Sequence, residues 1–306
     1  MENFFNPRIK MRHLLCLLEV VRQGSVAKAG SVLGMTQPAV SKAIGELEAI
    51  LEVELFDRSR RSLSLTSFGQ MFVRYATPGL ATLRQGIDAV EAARSGTNSL
   101  AFGALPSVAA GIVPTALLRF SQSSLACRTV VQSGPSPFLF DLLRTAAIEF
   151  VVGRMGDTVA MDGFSFEQLY SEELAFVVRP AHPLAGTASS ALDQIVQFQL
   201  LMPPVGAIIR PAVDALLIAG GVSRLQGEIE TVSNSLGRAY VLASDAVWII
   251  SRSVVALDLK IGQLVQLGVD VRATLGPIGI TTRTGATLSE SARGFIEAVR
   301  ETVREA

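Results

Sequence analysis

The side chains best placed for chemistry are Gln37, Ser41 and Lys42, set along TQPAVSKAIGELEAIL, residues 36–51. Wound at 3.6 residues per turn, that stretch puts Val40, Ile44, Leu47 and Leu51 in an apolar stripe and leaves Pro38, Ser41 and Lys42 on another side. Amide and ammonium groups on the exposed first turns of a helix suit base edges, Gln bonding an adenine and Lys a guanine or a phosphate. Arg58, Arg60 and Arg61 lie within four residues, a cluster suited to phosphates or to a minor groove. This is recognition chemistry, in which no covalent bond changes.

Catalysis needs a constellation, and the chain offers little to build one. Its two histidines are His13, in the first helical stretch, and His182, in a turn beside Pro183. Nothing resembles a nucleophile elbow, a phosphate loop or a metal site, so no catalytic residue, metal ligand or cofactor is expected and an enzyme is not. Cys16 and Cys127 stand alone in apolar surroundings without a CxxC, which fits buried thiols in a reducing cytoplasm better than a redox sensor. Lys plus Arg equals Asp plus Glu at 27 each, so any grip on nucleic acid must come from local charge.

The elements that would carry the recognition residues follow from local signals. Thr36 is a good N-cap and Pro38 sits in the first turn, where its missing N–H leaves no intrahelical bond unmade. Residues 25–33, SVAKAGSVL, form a short helix stopped by Gly34, which gives helix, tight turn, helix, with Ala29 and Gly30 small where the helices cross. After Leu51, alternation in VELFDRSRRSLSLT places Leu63 and Leu65 inward and the arginines at the tip of a two-stranded wing. The run GSVAKAGSVLGMTQPAVSKAIGELEAILEVELFDRSRRSLSLTSFG resembles the winged helix-turn-helix of the LysR-type transcriptional regulators. It departs from the family pattern at Gly30, Lys42, Glu52 and Phe68. The resemblance implies DNA contacts from Ser25, Thr36, Gln37, Pro38, Ser41 and Lys42 and from Arg58, Arg60 and Arg61.

Residues 66–96 carry Met71, Phe72, Tyr75, Leu80, Leu83, Ile87 and Val90 near helical spacing. In the resembled family this is a long linker helix that pairs with its mate, as an exposed apolar stripe requires. Pro78 and Gly79 predict a kink or a break near Ala76. The apolar run near residues 14–21 is short and holds Glu19, and that near 240–250 holds Asp245, so neither spans a bilayer and the first does not read as a signal peptide.

From residue 97 short apolar runs alternate with helical ones, which argues α/β sheets with helices on both faces. Helices are expected over residues 106–120 and 207–219, and the chain is expected to cross into a second lobe at the His182-Pro183 turn. The whole resembles an N-terminal winged helix-turn-helix (1–65), a linker and dimerisation helix (66–96) and a two-lobed α/β effector-binding domain of the periplasmic-binding-protein type (97–306). Lobe one takes residues 97–172 and 273–306, lobe two 173–272. AVWIISRSVV and GPIGITTR look like the branch that includes regulators of aromatic-acid and sugar genes, although Ser251 stands where the family often has Pro.

Ligands in such sheets lie off the carboxyl ends of strands, facing helix N-termini. That rule selects Pro106 and Ser107, then Gln132, Ser133 and Gly134, and in the other lobe Gly206 and Ala207, then Ser233, Asn234 and Ser235. Each serine or asparagine is equally a plain N-cap. Arg154, past the third strand, reads first as a solvated arginine and second as a carboxylate partner. The resemblance implies a homotetramer, a dimer of dimers on a dyad-symmetric duplex operator, that responds to an anionic aromatic or sugar-like effector, with RNA polymerase admitted as a further partner and no membrane. A cytoplasmic solute-binding protein is the alternative, and it explains the lobes alone.

Overall fold

The computed structural model describes residues 6–57, 63–95, 98–186, 192–222, 225 and 227–305. The chain divides into two compact units: the first comprises Met1–Ala89 and Arg144–Ala146, the second Val90–Leu143 and Ala147–Ala306.

In the first unit α1 (Met11–Gln23), α2 (Val26–Leu33) and α3 (Gln37–Leu51) precede a two-stranded ribbon of β1 (Phe56–Asp57) and β2 (Ser64–Leu65), then α4 (Ser67–Ser95). The three short helices enclose a core of Cys16, Leu17, Val20, Ala29, Val40, Ile44 and Leu47. The turn between α2 and α3 is tight because Gly34 takes a left-handed φ of 64° and the Met35 N–H bonds the Gly30 carbonyl at 2.8 Å. A Cβ on Gly30 would lie 2.7 Å from the Met35 oxygen, so the small residue is required by the turn itself. The ribbon is antiparallel, with Phe56 opposite Leu65. Leu65 packs into the core, but Leu63, expected inward, is exposed.

α4 runs unbroken from Ser67 to Ser95 with Pro78 inside it, so of the kink or break expected near Ala76 the break is absent. A proline there costs about 3 kcal/mol and one backbone bond. Phe72 and Val73 dock against the helical core on the N-terminal side, and Ala76 and Ala81 are buried on either side of the proline.

The second unit holds two five-stranded sheets. Lobe one begins with β3 (Ser99–Ala104), α5 (Pro106–Ala110), α6 (Ile112–Ser121), β4 (Arg128–Ser133), α7 (Ser136–Arg144), β5 (Phe150–Arg154) and β6 (Phe164–Glu172). Lobe two follows as β7 (Leu174–Val178), α8 (Leu192–Ile195), β8 (Leu200–Met202), α9 (Arg210–Ala219), β9 (Glu228–Glu230), α10 (Asn234–Ala243), β10 (Val247–Ser251), α11 (Arg252–Lys260) and β11 (Val265–Gln266). The chain then returns to lobe one as β12 (Gly276–Arg283) and α12 (Glu290–Arg304). The sheet orders are β4-β3-β5-β12-β6 and β11-β7-β10-β8-β9. Alternate residues of β7 face separate cores, Leu174, Phe176 and Val178 one and Ala175 and Val177 the other, as a sheet covered on both faces requires.

Two expectations are corrected here. The chain leaves lobe one at Glu173, between β6 and β7, ahead of the His182-Pro183 turn, because β6 pairs with β12 while β7 pairs with β10. The single helix expected over residues 106–120 is two, broken at Gly111 (φ −104°, ψ −104°), where a Cβ would come within 3.2 Å of Ser253 at the start of α11. The break is where lobe two reaches across to lobe one.

Candidate functional site

On the first unit the candidate recognition face is the start of α3. Thr36 Oγ1 accepts the Ala39 N–H at 3.4 Å, and Ser25 Oγ caps α2 by accepting the Lys28 N–H at the same distance. With the helix start thus satisfied, Thr36, Gln37, Pro38, Ser41 and Lys42 are all exposed, while Val40, Ala43, Ile44 and Leu47 are buried beneath them. Ser25 is half-buried. Two carboxylates brace this face. Glu48 Oε1 accepts the Leu55 and Phe56 N–H groups at 2.8 and 3.3 Å and so ties α3 to the base of the ribbon. Glu46, one turn beyond Lys42, accepts from Arg12 and His13 of α1. Sequence reasoning passed over His13 as a binding group, and its neighbour in space lies on another helix. Arg58, Arg60 and Arg61 fall outside the described residues.

On the second unit a cavity of about 80 Å³ lies between the lobes. Of the residues selected by the strand-end rule, Pro106 and Ser107 from lobe one and Ala207 and Asn234 from lobe two line it. Gln132, Ser133 and Gly134 do not, because α7 starts at Ser136 and brings Pro135 and Ser136 to the wall in their place. Gly206 is an exposed turn residue with φ 88°. The helix expected from Ala207 begins only at Arg210: Pro203 and Pro204 open a turn closed by the Ala207 N–H on the Pro204 carbonyl at 3.0 Å, so no helix N-terminus opens at Gly206. Ser233 is exposed and spends its Oγ capping α10, accepting from the Leu236 N–H, and Ser235 bonds Ser233. For those two the plain capping geometry holds.

The polar group that sequence reasoning misplaced is Arg154. It is 8% exposed, not solvated, and lines the cavity. One of its nitrogens reaches the Glu172 carbonyl at 3.4 Å and another donates to the Thr274 carbonyl, so a single guanidinium holds both segments that cross between the lobes. Gly276 makes room for it, since a Cβ there would overlap the guanidinium. Burial pushes the Arg154 pKa down, against the opposing pull of Glu172. Around this cation the wall is largely apolar, with Leu105, Pro203, Ile208 and Ile250, while Ser107, Ser136, Thr231 and Ser251 add hydroxyls. Ser136 and Ser251 are themselves buried. Arg154 is the last residue of β5, so the strand-end rule does point to it.

The lobes already touch at the mouth of this cavity. Asn234 Nδ2 donates to the Pro106 carbonyl at 3.0 Å, and Ser253 Oγ reaches the Ser107 carbonyl at 3.4 Å. Behind them Glu172 Oε1 accepts the Ser253 N–H at 2.6 Å. Elsewhere, burial raises the Cys16 thiol pKa, with Arg12 opposing, which makes it a poor nucleophile. Cys127 is half-buried. Among the described residues no helix is long and apolar enough to cross a membrane, and no group of three or more His, Cys, Asp and Glu could hold a metal ion.

Comparison with known proteins matches the chain to two family models. Residues 11–70 match "Bacterial regulatory helix-turn-helix protein, lysR family", and residues 93–304 match "LysR substrate binding domain". The chain is 41% identical over 302 residues to the HTH-type transcriptional regulator PcaQ of Agrobacterium fabrum, covering 98% of this chain and 97% of that one. It is 33% identical to the uncharacterized HTH-type transcriptional regulator YdcI of Escherichia coli, covering 98% of each. Among solved structures it resembles CbnR, a LysR family transcriptional regulator, with a TM-score of 0.60 at 20% identity over 96% of this chain and 99% of that one.

Proposed function

The chain belongs to the LysR family of bacterial transcriptional regulators, a DNA-binding head with an effector-binding domain, and from that premise we propose that a small anion held between the lobes sets how paired α3 helices grip a dyad-symmetric operator. The observation that carries the effector half is Arg154, a buried cation in a largely apolar wall. A carboxylate entering there gains a charge-assisted partner, and aromatic carbon or a sugar ring fills the rest of a cavity whose hydroxyls come from Ser107, Ser136 and Thr231. The effector is then an aromatic or sugar-like acid.

The DNA half rests on exposed Gln37, Ser41 and Lys42 at the capped start of α3, with the wing arginines on phosphates. On α4 Leu80, Leu83, Ile87 and Val90 recur at intervals of three, four and three, the seam spacing of a coiled coil. Leu83, Ile87 and Val90 are exposed, which suits pairing of two chains and, through the effector-binding domains, a dimer of dimers. In functional terms residues 1–65 read DNA, 66–96 pair and 97–306 sense the effector. Such a regulator works where the DNA is, in the cytoplasm.

The test is thermal shift of the full-length protein against aromatic and sugar acids, followed by calorimetry with whichever stabilises it. Ser107→Ala is expected to weaken effector binding by about 1–2 kcal/mol while leaving effector-free operator binding nearly unchanged. Equal affinity in the two proteins moves the site elsewhere, and stabilisation by neutral analogues alone removes the role given to Arg154.

A further inference from the structure

Glu46 lies one turn beyond Lys42 on α3, and three nitrogen groups converge on its carboxylate. Arg12 Nη2 is 2.7 Å from Oε2, His13 Nε2 is 3.1 Å from the same oxygen, and Lys42 Nζ is 4.0 Å from Oε1. His13 separates this arrangement from an ordinary surface ion pair. The residue is 1% exposed, and Nδ1 accepts the Lys10 N–H at 3.2 Å, so the ring proton sits on Nε2 and points at Glu46. A buried donor with little rotameric freedom therefore pins Oε2, and Oε2 in turn holds Arg12. The hydrogen bond from Arg12, then that from His13, keep the Glu46 carboxyl below the usual carboxylate range.

We propose that Glu46 is a specificity-determining residue that acts through charge, its one carboxylate offsetting one of the two positive charges of Arg12 and Lys42 so that non-operator DNA meets a less cationic head. Lys42 is the cation given up when the right base edge replaces the carboxylate. It is the looser of the two, at 4.0 Å with 78% of its side chain exposed, and lysine preceding glutamate is the weaker order for an i, i+4 pair. The chain has no net charge, so its hold on non-operator DNA depends on a handful of local cations, and offsetting one of those charges is a sizeable fraction of that hold. The inference rests on the reading of α3 as the groove helix.

The experiment titrates full-length wild type and Glu46→Gln with a non-operator duplex and an operator duplex across a range of salt. Glutamine keeps an oxygen for His13 and Arg12 and removes the charge. Removing the one carboxylate charge adds about 0.9 to the slope of log affinity against log salt, the worth of one phosphate contact, which between about 50 and about 200 mM salt amounts to a roughly threefold larger change in non-operator affinity. The operator-to-non-operator ratio is expected to fall. Arg12→Ala is expected to leave the non-operator slope of the wild type unchanged and to lower that of Glu46→Gln by about 0.9. An unchanged non-operator slope in Glu46→Gln, or a slope lost to Arg12→Ala in the wild-type background, overturns the proposal. Where Glu46→Gln melts below the assay temperature, the Arg12→Ala arm decides alone. Lys42→Ala with an unaltered operator preference would count against α3 as the groove helix, and the Arg12 arm, which reads phosphate charge on α1, stays interpretable.

Discussion

Asn234 of lobe two donates its side-chain amide to the Pro106 carbonyl of lobe one at 3.0 Å, beside the cavity that both residues line. This bond spans the two lobes, so it belongs to the closed arrangement. Asn234→Leu keeps most of the volume and removes the donor, which costs the closed form about 0.5–1.5 kcal/mol. Hydrogen exchange of the α5 amides is the readout, and it is expected to quicken by two- to tenfold, roughly that energy expressed as a ratio. Unchanged exchange would show that the bond holds nothing shut.

Lys42→Ala is expected to weaken operator binding by about 1–3 kcal/mol and to relax preference at one position of each half-site. Arg60→Ala is expected to act on all sequences alike and to lower the salt slope by about 0.9. A gel-shift titration separates the two patterns, and a Lys42→Ala protein with untouched preference would remove α3 from the groove.

Leu83→Glu combined with Ile87→Glu puts charge on the exposed seam of α4. Light scattering is expected to report smaller species, with operator binding lost because one head cannot hold two half-sites. Pro78→Ala restores a backbone donor in a helix that already runs through that position, so its melting temperature should not fall. Unaltered mass in the double variant would dispose of the seam.

His182 gives the second unit a pH dependence. The ring is buried, its Nδ1 accepts the Leu184 N–H at 3.0 Å and its Nε2 faces the Asp245 carbonyl at 3.1 Å, the bonding of a neutral imidazole. Burial holds its pKa below the ordinary value, outweighing the bond to Asp245. The unfolded chain then takes up the proton first, at about pH 6.5, so stability is full above that pH and declines as pH falls from there to the lower folded value. The fluorescence of Trp248, the chain's one tryptophan, reports unfolding of this lobe. His182→Asn is expected to flatten the decline between those two values, and an identical slope in both proteins would assign it to other groups.

What could be read in advance was local. The Thr36 cap, the Val40 to Leu47 stripe and the Gly34 stop are decided within one or two helical turns, and the structure has all three. Arg154 was misjudged because its surroundings come from far along the chain: it pairs with Ile278 across β12 and bonds the Thr274 carbonyl, neither of which neighbours it in sequence. At Gly206 a turn opened by two prolines displaced a helix start by three residues, enough to move a presumed ring of N–H donors away from the cavity. At Pro78 the helix continues, so the proline did not end the helix as its local preference suggested.

β12 lies between β5 and β6, with Val152 opposite Ile280 and Glu172 opposite Gly276. During synthesis the middle of that sheet is therefore delivered after every strand of lobe two has emerged. Lobe two can close around Trp248 and Phe176 while β5 and β6 still wait with open edges, and those edges are the places where a nascent or truncated chain would join a neighbour. A chain that ends before Gly276 therefore lacks the strand that joins β5 to β6 in lobe one.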